Sequence, residues 1–114
     1  MSKLQNLELV REAILQGISD AQEAGAFALN AAGGDGYPCG FAWVKVNGVK
    51  LNTKAGKIFA ELGFKKSYNG GIDLWNPSGL PVQNVDIKYV AAAAMAEVLK
   101  EQLGVEAYAE SRWD

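Results

Sequence analysis

Residues 63–76 read GFKKSYNGGIDLWN, and this stretch decides the fold. Asn69-Gly70-Gly71 is a turn signal, because these residue types accept the positive φ that tight hairpin turns need. It separates two short arms, FKKSY and IDLW, so the spacing predicts a β-hairpin. Phe64, Lys66 and Tyr68 share one face of the first arm, and in the second Ile72, Leu74 and Asn76 alternate against Asp73 and Trp75. Pro77-Ser78-Gly79 ends the hairpin, and Pro81 keeps the next residues irregular.

Working outward toward the N-terminus, residues 53–62 read as a short helix with Ala55, Ile58, Phe59 and Leu62 on one face. Asn52-Thr53 supplies its cap, and Gly63 stands where a C-terminal cap glycine belongs. Before it, FAWVKVN at 41–47 is strand-like, closed by the turn signal Asn47-Gly48. Ala42, Val44 and Val46 form its cleaner core face, which sends Trp43 and Lys45 to the opposite side, open or covered by a helix. Working outward toward the C-terminus, residues 86–103 read as a helix capped by Asp86, with the stripe Ile87, Val90, Ala91, Ala94, Val98 and Leu99 buried. Its alanines favour helix and allow close approach to a sheet. Gly104 ends it, VEAYA at 105–109 alternates as a final strand, and the charged ESRWD follows. The order strand-helix-hairpin-helix-strand predicts an α+β fold, the ferredoxin-like β-α-β-β-α-β sheet.

An additional N-terminal helix precedes this unit. Leu7, Val10, Ile14, Ile18, Ala21, Ala24 and Ala28 recur at helical spacing across residues 5–29. Gly17 and Gly25 weaken it, at about 1 kcal/mol each relative to alanine, so it breaks at Gly25 or runs on to Asn30. It covers the free sheet face or pairs with a second subunit. AAGGDGYPCG at 31–40 is a connecting loop. The expectation is one domain over 1–114, with residues 1–30 as the helix and 40–112 as the α+β core.

The 114 residues are 49% apolar and 21% charged, which is globular composition. No apolar run reaches membrane-span length. Glu8, Arg11 and Glu12 interrupt what a secretory signal would need to keep apolar, and the single cysteine, Cys39, excludes an intramolecular disulfide. The expected location is cytoplasmic. There is no histidine, which removes Ser-His and Cys-His nucleophile pairs and zinc sites built with imidazole. Residues 41–70 carry six lysines against Glu61, whereas residues 91–114 carry five acids against Lys100 and Arg112. The chain is therefore electrically asymmetric.

The residues most suggestive of a ligand are Trp43, Lys45, Lys65, Tyr68 and Trp75. Aromatics on an open sheet can stack bases while lysines hold phosphates. The competing explanation is that both tryptophans pack beneath the opening helix. No K-G-F-x-F-V signature of RNA-recognition sheets is present. GGDGYPCG could hold an anion on its amides, but it is neither a P-loop nor a dinucleotide fingerprint. In LWNPSG, Asn76 and Ser78 suit the turn backbone, and Asn76, with Gln83 in the next loop, could instead meet a small ligand. Cys39 has no histidine to activate it and reads as a small apolar residue. Asp35, Asp73, Asp86 and Asp114 lack metal-ligand spacing, so neither a metal nor a cofactor is expected. Trp113 either docks on its own sheet edge or contacts a second copy.

CGFAWV, GG-x-x-LWNPSG, Gln83 and SRWD together resemble a family of small uncharacterised proteins of tailed phages, over residues 39–114. That resemblance implies a bacterial host cell and a role in phage replication or counter-defence, and it carries no activity and no catalytic residue. The residues themselves point to a non-enzymatic binding module for nucleotide or single-stranded nucleic acid. The alternative is a protein-interaction or homo-oligomer-forming accessory protein, based on the amphipathic opening helix and Trp113.

Overall fold

The computed structural model describes residues 3–113. A 3-10 turn at Lys3–Gln5 leads into α1, Leu7–Ala31. There follow β1 (Gly40–Asn47), α2 (Lys54–Glu61), β2 (Lys65–Lys66), β3 (Ile72–Trp75), α3 (Val85–Leu103) and β4 (Glu106–Trp113). The four strands form one sheet in the order β2-β3-β1-β4, with every neighbouring pair antiparallel. This is the ferredoxin-like β-α-β-β-α-β arrangement with an extra N-terminal helix, as the hairpin and its flanking helices predict.

Alternation along β1 sets the core. Ala42, Val44 and Val46 are buried, and Leu74 and Ile72 of β3 stand opposite Val44 and Val46. Ala55, Ile58 and Phe59 of α2, and Ala91, Ala92, Met95, Ala96 and Leu99 of α3, close over this face. Phe59 and Phe64 meet edge to face, 5.0 Å between centroids, a favourable aromatic geometry.

The opening helix joins the same layer. Val10, Ala13, Ile14 and Ala21 of α1 belong to the buried cluster that contains Val44 and Val46. It runs unbroken through Gly25 to Ala31, with Asn6 accepting from the Leu9 amide at its start. Gly17 and Gly25 are buried points of close approach: a Cβ at Gly17 would lie 2.8 Å from Met95 Cγ, and one at Gly25 would lie 3.0 Å from Leu80 Cδ1. The entropic penalty of a helical glycine is accepted where a neighbouring side chain fills the space a Cβ would take. All three helices therefore lie on one side, and the expectation that α1 covers the free sheet face is corrected. Leu7 is exposed rather than part of the buried stripe.

Two boundaries also differ. Asn84, not Asp86, caps α3: its side chain accepts from the amides of Asp86 and Ile87 at 2.8 and 3.1 Å. Val90, assigned to the buried stripe, is exposed. β4 continues to Trp113 instead of stopping at 109, since it pairs with β1 along the whole run from Gly40↔Trp113 to Asn47↔Glu106. Trp113 stays in the sheet by its backbone while its side chain is largely exposed.

The 31–40 connector is tied down. The Asp35 carboxylate accepts from the backbone amides of Gln83 (2.8 and 3.0 Å), Asn84 (2.9 Å) and Gly36 (2.9 Å). Val85 N donates to Pro38 O and Gly40 N donates to Gln83 O. The loop thus brings an anion to the amides before α3, the reverse of the anion-holding role its glycines suggest. Among the described residues, no helix is long and apolar enough to cross a membrane.

Candidate functional site

With every helix on the Val44 side, the opposite face of the sheet is uncovered by secondary structure. Register assigns its rows. Trp43 stands between Trp75 and Glu110, Lys45 between Asp73 and Tyr108, and Phe41 opposite Arg112. Lys65 pairs with Asp73 and extends the second row to the edge.

Three aromatic rings run together across this face. Trp43 and Trp75 are stacked, with centroids 4.5 Å apart and planes 12° apart. Phe41 lies 5.9 Å from Trp75 at a tilt of 51°. Directly opposed strand residues are close enough for such ring pairs. The arrangement leaves Trp75 45% exposed, a large fraction for a tryptophan in a strand. The Arg112 guanidinium sits 5.3 Å from the Phe41 centroid and 5.5 Å from that of Trp75, within cation–π range.

Hydrogen bonds fix the platform from below. Trp43 Nε1 donates to Glu110 Oε1 at 3.0 Å. Lys45 is only 4% exposed. Its Nζ donates to Asn69 Oδ1 at 2.6 Å and lies 3.9 Å from Glu110 Oε1. The Asn69-Gly70-Gly71 turn folds over the lysine, and Ser67 Oγ donates to the same Asn69 oxygen at 3.1 Å. Lys45 therefore holds the hairpin turn and Glu110 in place instead of offering a free ammonium.

The seven sequence candidates divide accordingly. Trp43, Trp75, Lys45 and Lys65 share the open face. Tyr68 sits fully exposed at the hairpin tip, beyond the end of β2. Asn76 has its side chain committed to the turn: Nδ2 donates to Leu80 O at 3.1 Å and Oδ1 accepts from Ser78 Oγ at 3.3 Å. Its φ of 47° is the left-handed conformation that asparagine tolerates. Gln83 is exposed on the loop before α3, where its Oε1 accepts from Cys39 Sγ at 3.5 Å. Phe41, which shares the parity of Trp43 and Lys45 along β1, and Arg112 were not among the sequence candidates. Extending the alternation of Glu106, Tyr108 and Glu110 by two residues would have placed Arg112 on this face.

Among the described residues, no three metal-ligating side chains gather, and Asp114 lies outside those residues. Asp73 is buried on the strand. The Asp35 carboxyl is held below its ordinary value, first by the Gln83 amide and then by that of Asn84. It serves as a local tether. Comparison with known proteins yields no matching family model, curated protein or solved structure.

Proposed function

We propose that this chain binds single-stranded nucleic acid, with a nucleotide as the smallest ligand, on the open face of its sheet. The observation that carries the reading is the contiguous Phe41, Trp75 and Trp43 row, which no helix covers because α1 packs with α2 and α3 on the other side. Bases stack on aromatic faces regardless of sequence, at about 1–3 kcal/mol per base. Arg112 over two of these rings adds a cation at the place where a phosphate would follow a stacked base. Lys65 supplies a further exposed charge on the same face.

The reading is one of binding rather than catalysis. The chain has no histidine, and Glu110 on this face is engaged by Trp43 and Lys45. The amphipathic opening helix, one ground for the protein-interaction alternative, uses its apolar stripe inside the molecule. On this reading the protein acts in the cytoplasm of a bacterial host cell, as the tailed-phage resemblance implies.

Titration with short single-stranded DNA and RNA, followed by tryptophan fluorescence at several salt concentrations, tests the proposal. Quenching that weakens as salt rises is expected, because phosphate contacts release counterions. Unchanged fluorescence with every oligomer at low salt refutes it.

A further inference from the structure

Beside the ring row, where β1 begins, lies a hollow of about 500 Å3 lined by Tyr37, Cys39, Gly40, Phe41, Gln83 and Lys88. Phe41 belongs to both the hollow and the platform. Lys88 reaches it from the second turn of α3: its Nζ donates to Gly40 O at 2.8 Å and stands 5.3 Å from the Phe41 centroid. Arg112 stands at the same distance from that ring. Two cations thus flank one phenyl group. Among the described residues, neither has a carboxylate within ion-pair distance. Asp35 feels the charge of Lys88, but its oxygens already accept backbone amides.

An aromatic ring attracts each cation without neutralising it, so both keep their charge available to an anion. An anion in the hollow would meet Lys88, which lines it, with Arg112 on the same ring adding longer-range attraction. Gln83 adds a donor, because its Oε1 accepts from Cys39 while Nε2 makes no hydrogen bond among the described residues.

We propose that this hollow holds the terminal phosphomonoester of a strand whose bases stack on the platform. The inference rests on the binding mode proposed above and adds a polarity to it. A phosphomonoester carries close to two negative charges at neutral pH, whereas an internal diester carries one, so Lys88 in the hollow, reinforced by Arg112 on the same ring, suits the end of a strand better than its middle.

The test compares thymidine tetramers bearing a 5′-phosphate, a 3′-phosphate or neither, with inorganic phosphate as a separate probe, all at one salt concentration. One phosphorylated form should bind about tenfold tighter than the unphosphorylated tetramer, the effect of one good charge-assisted contact. Lys88→Gln should bring that ratio close to one and Lys88→Arg should preserve it, with circular-dichroism melting to show that both variants are folded. Quenching of equal strength by all three tetramers overturns the terminal-phosphate site and leaves base stacking standing. Inorganic phosphate binding as tightly as the phosphorylated tetramer also overturns it, in favour of a free-anion site. Failure of every tetramer to bind removes the stacking reading and this inference with it.

Discussion

Gly56→Ala should destabilise the protein, although alanine is the better helix former. In an unobstructed helix the change stabilises by up to about 1 kcal/mol, through propensity and the smaller entropy of the unfolded chain. Gly56 sits in the first turn of α2, directly beneath the 50–53 turn. A Cβ there would lie 2.6 Å from the Lys50 carbonyl carbon, nearer still to its oxygen, and 2.7 Å from Leu51 Cα. That carbonyl cannot turn away freely, because it accepts from both the amide (3.1 Å) and the hydroxyl (2.6 Å) of Thr53. The Thr53 hydroxyl also accepts from the Gly56 amide at 3.0 Å, so moving the turn disturbs the helix cap. Overpacking costs about 1–3 kcal/mol, and a clash with backbone belongs at the upper end. Set against the gain of about 1 kcal/mol, the net loss is about 1–2 kcal/mol. With a urea slope of about 2 kcal/mol/M, the middle of the usual range for small proteins, the unfolding midpoint falls by roughly 0.5–1 M. Equilibrium urea unfolding read by far-ultraviolet circular dichroism measures it. A midpoint equal to or above that of the parent would refute the close approach. Gly17→Ala, whose nearest obstacle is the Met95 side chain, should lose less.

Trp75→Ala should weaken oligonucleotide binding by about 1–3 kcal/mol, while Tyr68→Ala, at the hairpin tip, should leave it within about twofold; the fluorescence titration distinguishes them. Lys45→Ala should cost about 2 kcal/mol in urea unfolding, because it strips a buried contact from Asn69 and Glu110, whereas Lys65→Ala should stay within about 0.5 kcal/mol. Asp35→Asn should lower stability at neutral pH and lose that disadvantage in acid. The folded carboxyl titrates below its unfolded value of 3.8, so its contribution is complete above that pH and disappears as pH falls through the folded value. Thermal melts of both proteins from pH 7 to pH 2 should converge.

Local chemistry announced most of the sheet. The Asn69-Gly70-Gly71 turn and the alternation of Ala42, Val44 and Val46 specify a hairpin and a half-buried strand without reference to anything distant. The placement of α1 was not legible, because its apolar stripe fits a sheet face, a partner or another helix equally well. Gly17 and Gly25 held the missing signal: read singly they weaken a helix, whereas they make room for Met95 of α3 and for Leu80 of the loop before it. Lys45 was misjudged for a similar reason. Period-2 alternation places it on the open face, but only the returning hairpin turn reveals that Asn69 closes over it. Arg112 was lost at a boundary. The polar segment ESRWD reads as a tail until the full length of β1 is seen to require a partner strand there.

The two borders of the sheet differ in kind. β2 offers only Lys65 and Lys66, both exposed, so a foreign strand would find little backbone to join and two positive charges to desolvate. β4 runs for eight residues along the other border. Its protection against edge-to-edge aggregation falls to Glu106, Glu110 and Arg112, interleaved with Ala107, Ala109 and Ser111. Glu110 and Arg112 thus have a second duty as gatekeepers of colloidal solubility. Neutralising them carries a penalty in concentrated solution that neither a binding curve nor a melting curve at low concentration would register.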